Sequence, residues 1–182
     1  MKNSILGKWD YSGVAEAIFG SFETYQKARD FLGDTVEDWG CGTGYARNYF
    51  KNYKGVDGSP SRFVSSDEIV DLRYYTSNVD NILIRHTLEW CGDWKAVLNN
   101  AKKSFNKKLC LMLFTPFVDK TQVVEELEIV NAKGQRVKGV TTQEVHFKKE
   151  DILGFFPEDE FKIKEEQYGK EWILYVEKIN SK

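Results

Sequence analysis

Apolar residues recur at three- and four-residue steps from Val14 to Leu32. This spacing places them on one face of the chain and predicts an amphipathic helix. Gly20 interrupts the pattern, so one helix and two helices separated at that glycine are both compatible with it. Gly33 follows the last apolar position, where a glycine commonly ends a helix. We therefore expect residues 1–33 to form an N-terminal helical lid ahead of the first strand.

Short apolar segments and helical segments alternate after this helix. The segment Leu109–Phe114 contains no polar residue, which is typical of a strand buried on both faces of a sheet. Alternation of strand and helix predicts a parallel sheet with right-handed crossovers. The predicted strands are Thr35–Trp39, Tyr53–Asp57, Glu68–Leu72, Val79–Ile84 and Leu109–Phe114, and the predicted helices are Gly44–Tyr53 and Trp94–Phe105.

The chain after Pro116 follows a different pattern, in which strand-like segments flank short turns. Two hairpins are predicted, the first being a flap over residues 117–147. An antiparallel pair is thus added to the parallel sheet at the C-terminus. The segments are Val123–Val130 and Val137–Phe147 for the flap, Lys148–Phe156 for a short helix, and Phe161–Tyr168 and Trp172–Lys178 for the second hairpin.

Composition narrows the class of protein further. The length of 182 residues suits one α/β domain, 1–182. A net charge of -2 provides no general attraction to nucleic acid or to anionic membranes, and no apolar run is long enough to cross a bilayer. The N-terminus lacks the apolar region of a signal peptide. Three scattered cysteines, with no CxxC pair, indicate free thiols in the cytoplasm and neither a disulfide framework nor a structural zinc site.

The clearest chemical signal is the sequence Asp38-Trp39-Gly-Cys-Gly-Thr-Gly44 at the end of the first predicted strand. Glycines let the backbone approach a ligand closely, and a helix that follows offers free N–H groups. Tyr45 stands where a dinucleotide-binding G-x-G-x-x-G loop needs a small residue, and the Gly-Lys-Ser/Thr of a phosphate-binding loop is absent. Asp57 ends the next predicted strand, where a carboxylate can accept hydrogen bonds from both hydroxyls of a ribose.

Four segments together resemble class I S-adenosylmethionine-dependent methyltransferases, of a small type 11/12-like kind. The resemblance implies an α/β fold with a doubly wound, mostly parallel seven-stranded sheet, which is Rossmann-like and closes with an antiparallel hairpin. It also implies S-adenosylmethionine as the cofactor. The segments are Asp38–Gly44 for the cofactor loop, Gly55–Pro60 for the second strand, Val79–Trp90 for the fourth strand and its loop, and Phe161–Lys178 for the closing hairpin.

The resemblance implies roles by position. The loop backbone would hold the methionine part of the cofactor, a carboxylate would bind the ribose, and residues after the second and third strands would meet the adenine. Only ten residues separate Asp57 from Glu68, so the second crossover helix of the family is nearly absent. The implied cofactor residues are Asp38, Gly40, Cys41, Gly42, Gly44, Asp57, Gly58, Ser59, Asp71, Leu72 and Arg85.

Methyl transfer to an oxygen or nitrogen benefits from a general base, and His86 is the residue of choice because imidazole titrates near neutral pH. Its alternative is a core or cofactor-facing histidine. Trp9, Tyr11 and Trp90 are expected to line the pocket of a small-molecule acceptor, whereas Trp94 is expected to pack between helix and sheet.

Three functions remain open. The first is methyl transfer to a small molecule. The second is a non-catalytic protein that kept the fold and binds S-adenosylmethionine. The third is a nicotinamide-dependent oxidoreductase, which is disfavoured because Tyr45 stands where a dinucleotide-binding loop needs a small residue.

Overall fold

The computed structural model describes residues 22–58, 66–130 and 136–179. Within these ranges the chain forms three α-helices and nine strands. Most of residues 1–33, and with them the predicted lid, lie outside the described ranges. The helices are α1 (Glu23–Leu32), α2 (Trp94–Ser104) and α3 (Lys149–Leu153), and the strands are β1 (Thr35–Trp39), β2 (Asn52–Asp57), β3 (Glu68–Ile69), β4 (Val79–Arg85), β5 (Phe105–Phe114), β6 (Gln122–Val130), β7 (Arg136–His146), β8 (Phe161–Tyr168) and β9 (Glu171–Lys178).

Seven strands form one sheet in the order β3-β2-β1-β4-β5-β9-β8. The five N-terminal strands are parallel, and β9 runs antiparallel to both β5 and β8. The predicted fold class is therefore confirmed. The chain leaves β1 toward β2 on one side and returns to β4 on the other, so the order reverses between β1 and β4. Ligands of open α/β sheets bind at the carboxyl ends of the strands at such a point.

Both faces of the sheet are covered at β5, which explains the continuous apolar run of this strand. Leu109, Leu111 and Leu113 point to the face covered by α2 and α3, and Cys110 and Met112 point to the face covered by α1. All five side chains are fully buried. Successive side chains of a strand point to opposite faces, so a strand between two helical layers needs apolar residues at every position.

The predicted helix over Gly44–Tyr53 is wrong. One turn of 3-10 helix, Tyr45–Asn48, occupies that position. β2 already begins at Asn52, which pairs with Thr35, so the chain between loop and strand has room for little more than a single turn. The buried side chains of Ala46 and Phe50 explain why the apolar spacing looked helical.

The third strand is also shorter than predicted, because β3 contains only Glu68 and Ile69. Asp71 and Leu72 therefore lie after the strand and not on it. The chain from residue 70 to residue 78 forms no helix before β4 begins. Ile69 is 53% exposed and Tyr74 is 81% exposed, so this margin of the sheet lacks a covering layer among the described residues.

The flap is a separate two-stranded antiparallel sheet, β6 and β7, as predicted. Val145, near the end of β7, and Phe147, directly after it, are buried in the hydrophobic core together with residues of α2. The ring of Trp94 lies 5.2 Å from that of Phe147, which confirms the packing role predicted for Trp94. His146 is exposed. No helix in the described part of the chain is long and apolar enough to cross a membrane.

Candidate functional site

The glycine loop follows β1 at the point where the strand order reverses. Gly40, Gly42 and Gly44 have φ angles of 77°, 52° and 69°, which favour glycine over residues with a side chain. A Cβ atom at Gly40 would lie 2.2 Å from Oγ1 of Thr87, which follows β4. That hydroxyl donates to the carbonyl of Trp39 at 3.1 Å. Position 40 therefore requires glycine for two reasons, its backbone conformation and the close approach of Thr87.

Hydrogen bonds hold the glycine loop to β2. The N–H groups of Gly40 and Cys41 donate to the carbonyl of Val56 at 2.8 and 3.2 Å. The N–H of Gly42 donates to Oδ2 of Asp57 at 2.9 Å. The Asp57 carboxylate, which is buried, thus lies against the loop at the end of β2. The two features that the sequence marked as a nucleoside site are in direct contact.

Asp38 is buried on β1, on the face opposite Trp39. Its Oδ2 accepts a hydrogen bond from the hydroxyl of Tyr53 at 2.8 Å. Burial, followed by the charge of Asp38, raises the pKa of Tyr53 and keeps the phenol protonated. Burial and the charges of Asp38 and Asp57 likewise raise the pKa of Cys41, which is therefore a thiol and not a reactive thiolate.

The residues predicted to edge the adenine are engaged within the protein. Asp71 accepts hydrogen bonds from Nε and Nη2 of Arg73 at 2.9 and 2.6 Å. This pairing lowers the pKa of Asp71. Leu72 packs against the core, and its carbonyl accepts from Nδ2 of Asn100 at 3.0 Å. Contact of either residue with an adenine stays a prediction.

A buried charge cluster, made of Arg85, His86, Glu89 and Glu171, lies where β4 ends and β9 begins. Nε of Arg85 donates to Oε1 of Glu171 at 3.1 Å. Nη1 of Arg85 donates to the hydroxyl of Tyr25 on α1 at 2.8 Å. Nε2 of His86 lies 2.7 Å from the same Oε1 of Glu171. Each side chain of the cluster is less than a tenth exposed.

His86 lies between two carboxylates. Its Nδ1 is 3.1 Å from Oε1 of Glu89, and its Nε2 contacts Glu171. Burial lowers the pKa of His86, but the hydrogen bonds with Glu171 and Glu89 outweigh it and raise the pKa overall. An imidazolium that donates from both nitrogens has no lone pair with which to accept a proton. The base role predicted for His86 would require one of these contacts to break.

His86 also has an unusual backbone conformation, with φ at 51°. Its ring stacks on that of Phe114, with the centroids 3.6 Å apart. Its N–H donates to the carbonyl of Met112 at 3.0 Å. The residue is thus held from the side of β5 as well as by the two carboxylates, and strained conformations of this kind persist where the surroundings enforce them.

Sequence reasoning missed both acidic members of the cluster. Glu171 opens the last strand directly after a turn, where an acidic residue is usually exposed. Glu89 lies in a 3-10 helix, Leu88–Trp90, and its position three residues after His86 was the available signal. Oε1 of Glu89 also accepts the N–H of Phe114 at 2.9 Å.

Of the predicted acceptor residues, Trp90 lies next to Glu89 and is partly buried. Trp9, Tyr11 and the cofactor residue Ser59 lie outside the described ranges. An aromatic group that the sequence did not indicate packs beside the glycine loop, with the rings of Phe22 and Tyr45 4.6 Å apart. Within the described ranges, no group of three or more His, Cys, Asp and Glu side chains is arranged to hold a metal ion.

The sequence matches no protein-family model and no curated protein. Solved structures, however, share its architecture. One is a 1,6-didemethyltoxoflavin-N1-methyltransferase from Burkholderia thailandensis, with 1,6-didemethyltoxoflavin and S-adenosylhomocysteine bound. It matches with a TM-score of 0.62 and 11% identity, over 87% of this chain and 78% of its own.

Two further structures are similar. An S-adenosylmethionine-dependent methyltransferase from Mesorhizobium loti matches with a TM-score of 0.58 and 11% identity, over 88% of this chain and 100% of its own. Magnesium protoporphyrin IX methyltransferase from Synechocystis, with S-adenosylhomocysteine bound, matches with a TM-score of 0.56 and 16% identity, over 86% of this chain and 83% of its own. At such identities the likeness is one of fold.

Proposed function

We propose that this chain, which has the fold of class I S-adenosylmethionine-dependent methyltransferases, transfers a methyl group from S-adenosylmethionine to an oxygen or nitrogen atom of a small molecule. One observation carries the proposal. A loop with three glycines at positive φ lies against the buried carboxylate of Asp57, at the point where the strand order reverses. The three free cysteines suit a reducing compartment, and we place the reaction in the cytoplasm.

The residues present fit this cofactor. The backbone of Gly40, Cys41, Gly42 and Gly44 would hold its methionine part, and Asp38 would orient the loop or meet the amino group. Asp57 would bind the ribose hydroxyls while its Oδ2 retains the Gly42 N–H. A carboxylate oxygen can accept more than one hydrogen bond, so the two tasks are compatible.

The adenine would be met by residues at the ends of β2 and β3. Gly58 and Ser59 would lie beside it, with Asp71 and Leu72 at its edge. Asp71 is the weakest member of this set because its carboxylate already pairs with Arg73. The open margin beside β3 is consistent with an adenine pocket that the described chain leaves partly uncovered.

When bound, S-adenosylmethionine supplies a methyl group on a sulfonium whose thioether leaves readily. The task of the protein is then to align the acceptor and exclude water. Arg85 and His86 would form the floor of the cavity at the end of β4, where ion pairs hold both in place. Trp90 would line the acceptor pocket, together with Trp9 and Tyr11.

A small acceptor is supported by composition and by the similar structures. A net charge of -2 provides no general attraction to nucleic acid. One similar structure has the small molecule 1,6-didemethyltoxoflavin bound, and another is named for magnesium protoporphyrin IX. The flap β6–β7, which packs on the turn carrying Glu89, is a suitable wall for such a pocket.

Titration calorimetry with S-adenosylmethionine and S-adenosylhomocysteine tests the proposal. We expect both to bind with micromolar dissociation constants, and release of S-adenosylhomocysteine when an acceptor panel of phenols, amines and heteroaromatic compounds is added. Absence of binding at millimolar cofactor would reject the function. Tighter binding of a nicotinamide dinucleotide would instead favour an oxidoreductase.

The alternative is a non-catalytic protein that binds S-adenosylmethionine. Two observations favour it, namely the single 3-10 turn that replaces the first crossover helix and the two-residue β3. Cofactor binding without any methylated product across the panel would support this alternative.

A further inference from the structure

Glu89 has one carboxylate oxygen that is bonded and one that is not. Oε1 accepts the N–H of Phe114 at 2.9 Å and faces Nδ1 of His86 at 3.1 Å. Oε2 is buried and has no hydrogen-bond partner among the described residues. Donors from β5 and from the end of β4 hold the same oxygen, so they also fix the plane of the carboxylate. The direction of Oε2 is therefore set by the fold.

A buried acceptor without a donor disfavours the folded state. A hydrogen bond donated by a bound ligand would remove this cost. Among the described residues of the buried charge cluster, Oε2 of Glu89 is the buried side-chain atom that lacks a hydrogen-bond partner. His86 is engaged at both ring nitrogens, and Oε1 of Glu171 receives Arg85, His86 and Thr24.

The position of Glu89 connects it to the proposed cofactor site. Thr87, two residues earlier, contacts the glycine loop, because its Oγ1 lies 3.4 Å from the carbonyl oxygen of Gly40. The 3-10 helix Leu88–Trp90 packs against β7 of the flap. Glu89 thus lies between the element that would hold the methyl donor and the element that would cover the acceptor.

The charges of the cluster limit what Oε2 can bind. When His86 is protonated, the two positive charges of Arg85 and His86 balance the two negative charges of Glu89 and Glu171. A cationic ligand would leave an uncompensated buried charge. A neutral N–H or O–H donor satisfies Oε2 and leaves the charge of the cluster unchanged on binding.

We propose that Oε2 of Glu89 accepts a hydrogen bond from the N–H or O–H of the methyl acceptor and takes that proton during the reaction. This inference rests on the proposed function. The acceptor heteroatom forms a bond to the methyl carbon, the carbon–sulfur pair stays on the sulfur, and the proton passes to Oε2. The acceptor class is a neutral protic molecule, such as a phenol, an arylamine or a heteroaromatic N–H compound. His86 is a positioning residue, which fixes Oε1.

The test compares protic probes with their methylated counterparts. Binding of phenol and anisole, and of aniline and N,N-dimethylaniline, is measured by ligand-observed NMR on protein saturated with S-adenosylhomocysteine. We expect each protic probe to bind about tenfold more tightly than its counterpart, as a hydrogen bond to a charged group provides. Equal binding within each pair, or no binding of any probe, overturns the inference without recourse to a variant.

Glu89→Gln keeps the size of the side chain and an oxygen for the Phe114 N–H but removes the carboxylate. We expect it to abolish the preference for protic probes while the affinity for S-adenosylhomocysteine changes less than about threefold. The exposed control Glu158→Gln should retain the preference. A preference that survives in Glu89→Gln contradicts the role of Oε2.

Failure of the proposed function is distinguishable from failure of this inference. If S-adenosylhomocysteine does not bind, methyl transfer is rejected. The same probes are then measured on the cofactor-free protein, where their binding tests Oε2 alone. A preference for protic probes that is lost in Glu89→Gln would establish a binding site that serves another reaction.

Discussion

The two halves of the sheet on either side of β1 differ in the length of their strands and in how completely their faces are covered. On one side, β4, β5 and β9 are seven to ten residues long, and helices or the flap cover both faces. On the other side, β2 is followed by a two-residue β3, and the crossover from β1 is a single 3-10 turn. The difference separates two tasks. Residues of the first half enclose the ion pairs around the proposed acceptor site. In the described part of the second half, the groups proposed to bind a nucleoside are the glycine loop and Asp57 at the end of β2, with Asp71 and Leu72 after β3.

The largest effect is expected in the well-covered half. Glu171→Ala leaves Arg85 and His86 buried without their shared carboxylate, and removing one member of a buried ion pair typically costs about 3–5 kcal/mol. Urea unfolding followed by circular dichroism measures this loss. The control Glu177→Ala, at an exposed position of the same strand β9, should lower stability by less than about 1 kcal/mol. Equal losses in the two variants would show that the charge cluster has no special role.

A smaller loss is expected at the boundary between the halves. Gly40→Ala forces a Cβ against Thr87 at a φ of 77°, and the backbone alone costs about 1–2 kcal/mol. We expect a total loss above about 2 kcal/mol in the same unfolding measurement. Adding Thr87→Gly should remove the steric clash, so the double variant should recover the part of the stability loss that the clash causes. The part caused by the backbone conformation at position 40 should remain. A double-mutant cycle without coupling would contradict the contact.

In the sparsely built half, the expected effect is on the cofactor and not on the fold. Asp57→Asn retains an oxygen for the Gly42 N–H but loses the charge that would bind the ribose. We expect the dissociation constant of S-adenosylmethionine to rise about tenfold, the value of a charged hydrogen bond. Calorimetry gives the constant, with Asp71→Asn as the comparison. An unchanged constant in Asp57→Asn would refute the ribose role.

The smallest expected effect is the dependence of the free energy of unfolding on pH, and it arises from His86 in the well-covered half. The pKa of His86 is raised above its ordinary value of 6.5, because hydrogen bonds with Glu171 and Glu89 outweigh burial. Its contribution to stability is therefore complete below pH 6.5 and is lost as the pH rises through the folded-state pKa. The free energy of unfolding of the wild type should fall over that range more than that of His86→Gln. Parallel pH profiles would mean that His86 is not charged in the folded protein.

The elements that were predicted best are those whose residues repeat a simple pattern. β5 and the closing hairpin were recognised because apolar runs and a Gly-Lys turn identify them locally. The spacing of Ala46 and Phe50 predicts a helix in the first crossover because both side chains are buried against α1, as a helix would bury them, although the chain has room for one turn only. The spacing of apolar residues indicates which side chains are buried. It does not indicate how many residues are available to form a helix between two strands.

The residues of the candidate site also fall into those that the sequence identifies and those that only the structure reveals. The sequence alone identified the glycine loop and Asp57 as candidate site residues, because both belong to consecutive strand–loop units that a short motif describes. The order of such units also indicated the fold. Only the tertiary structure decided what surrounds His86. Glu171 comes from a strand that lies beside β5 by antiparallel pairing, and Phe114 orients Glu89 through a backbone N–H that no sequence pattern reveals. Charge networks of this kind depend on contacts between residues far apart in the chain, and folding alone brings them together.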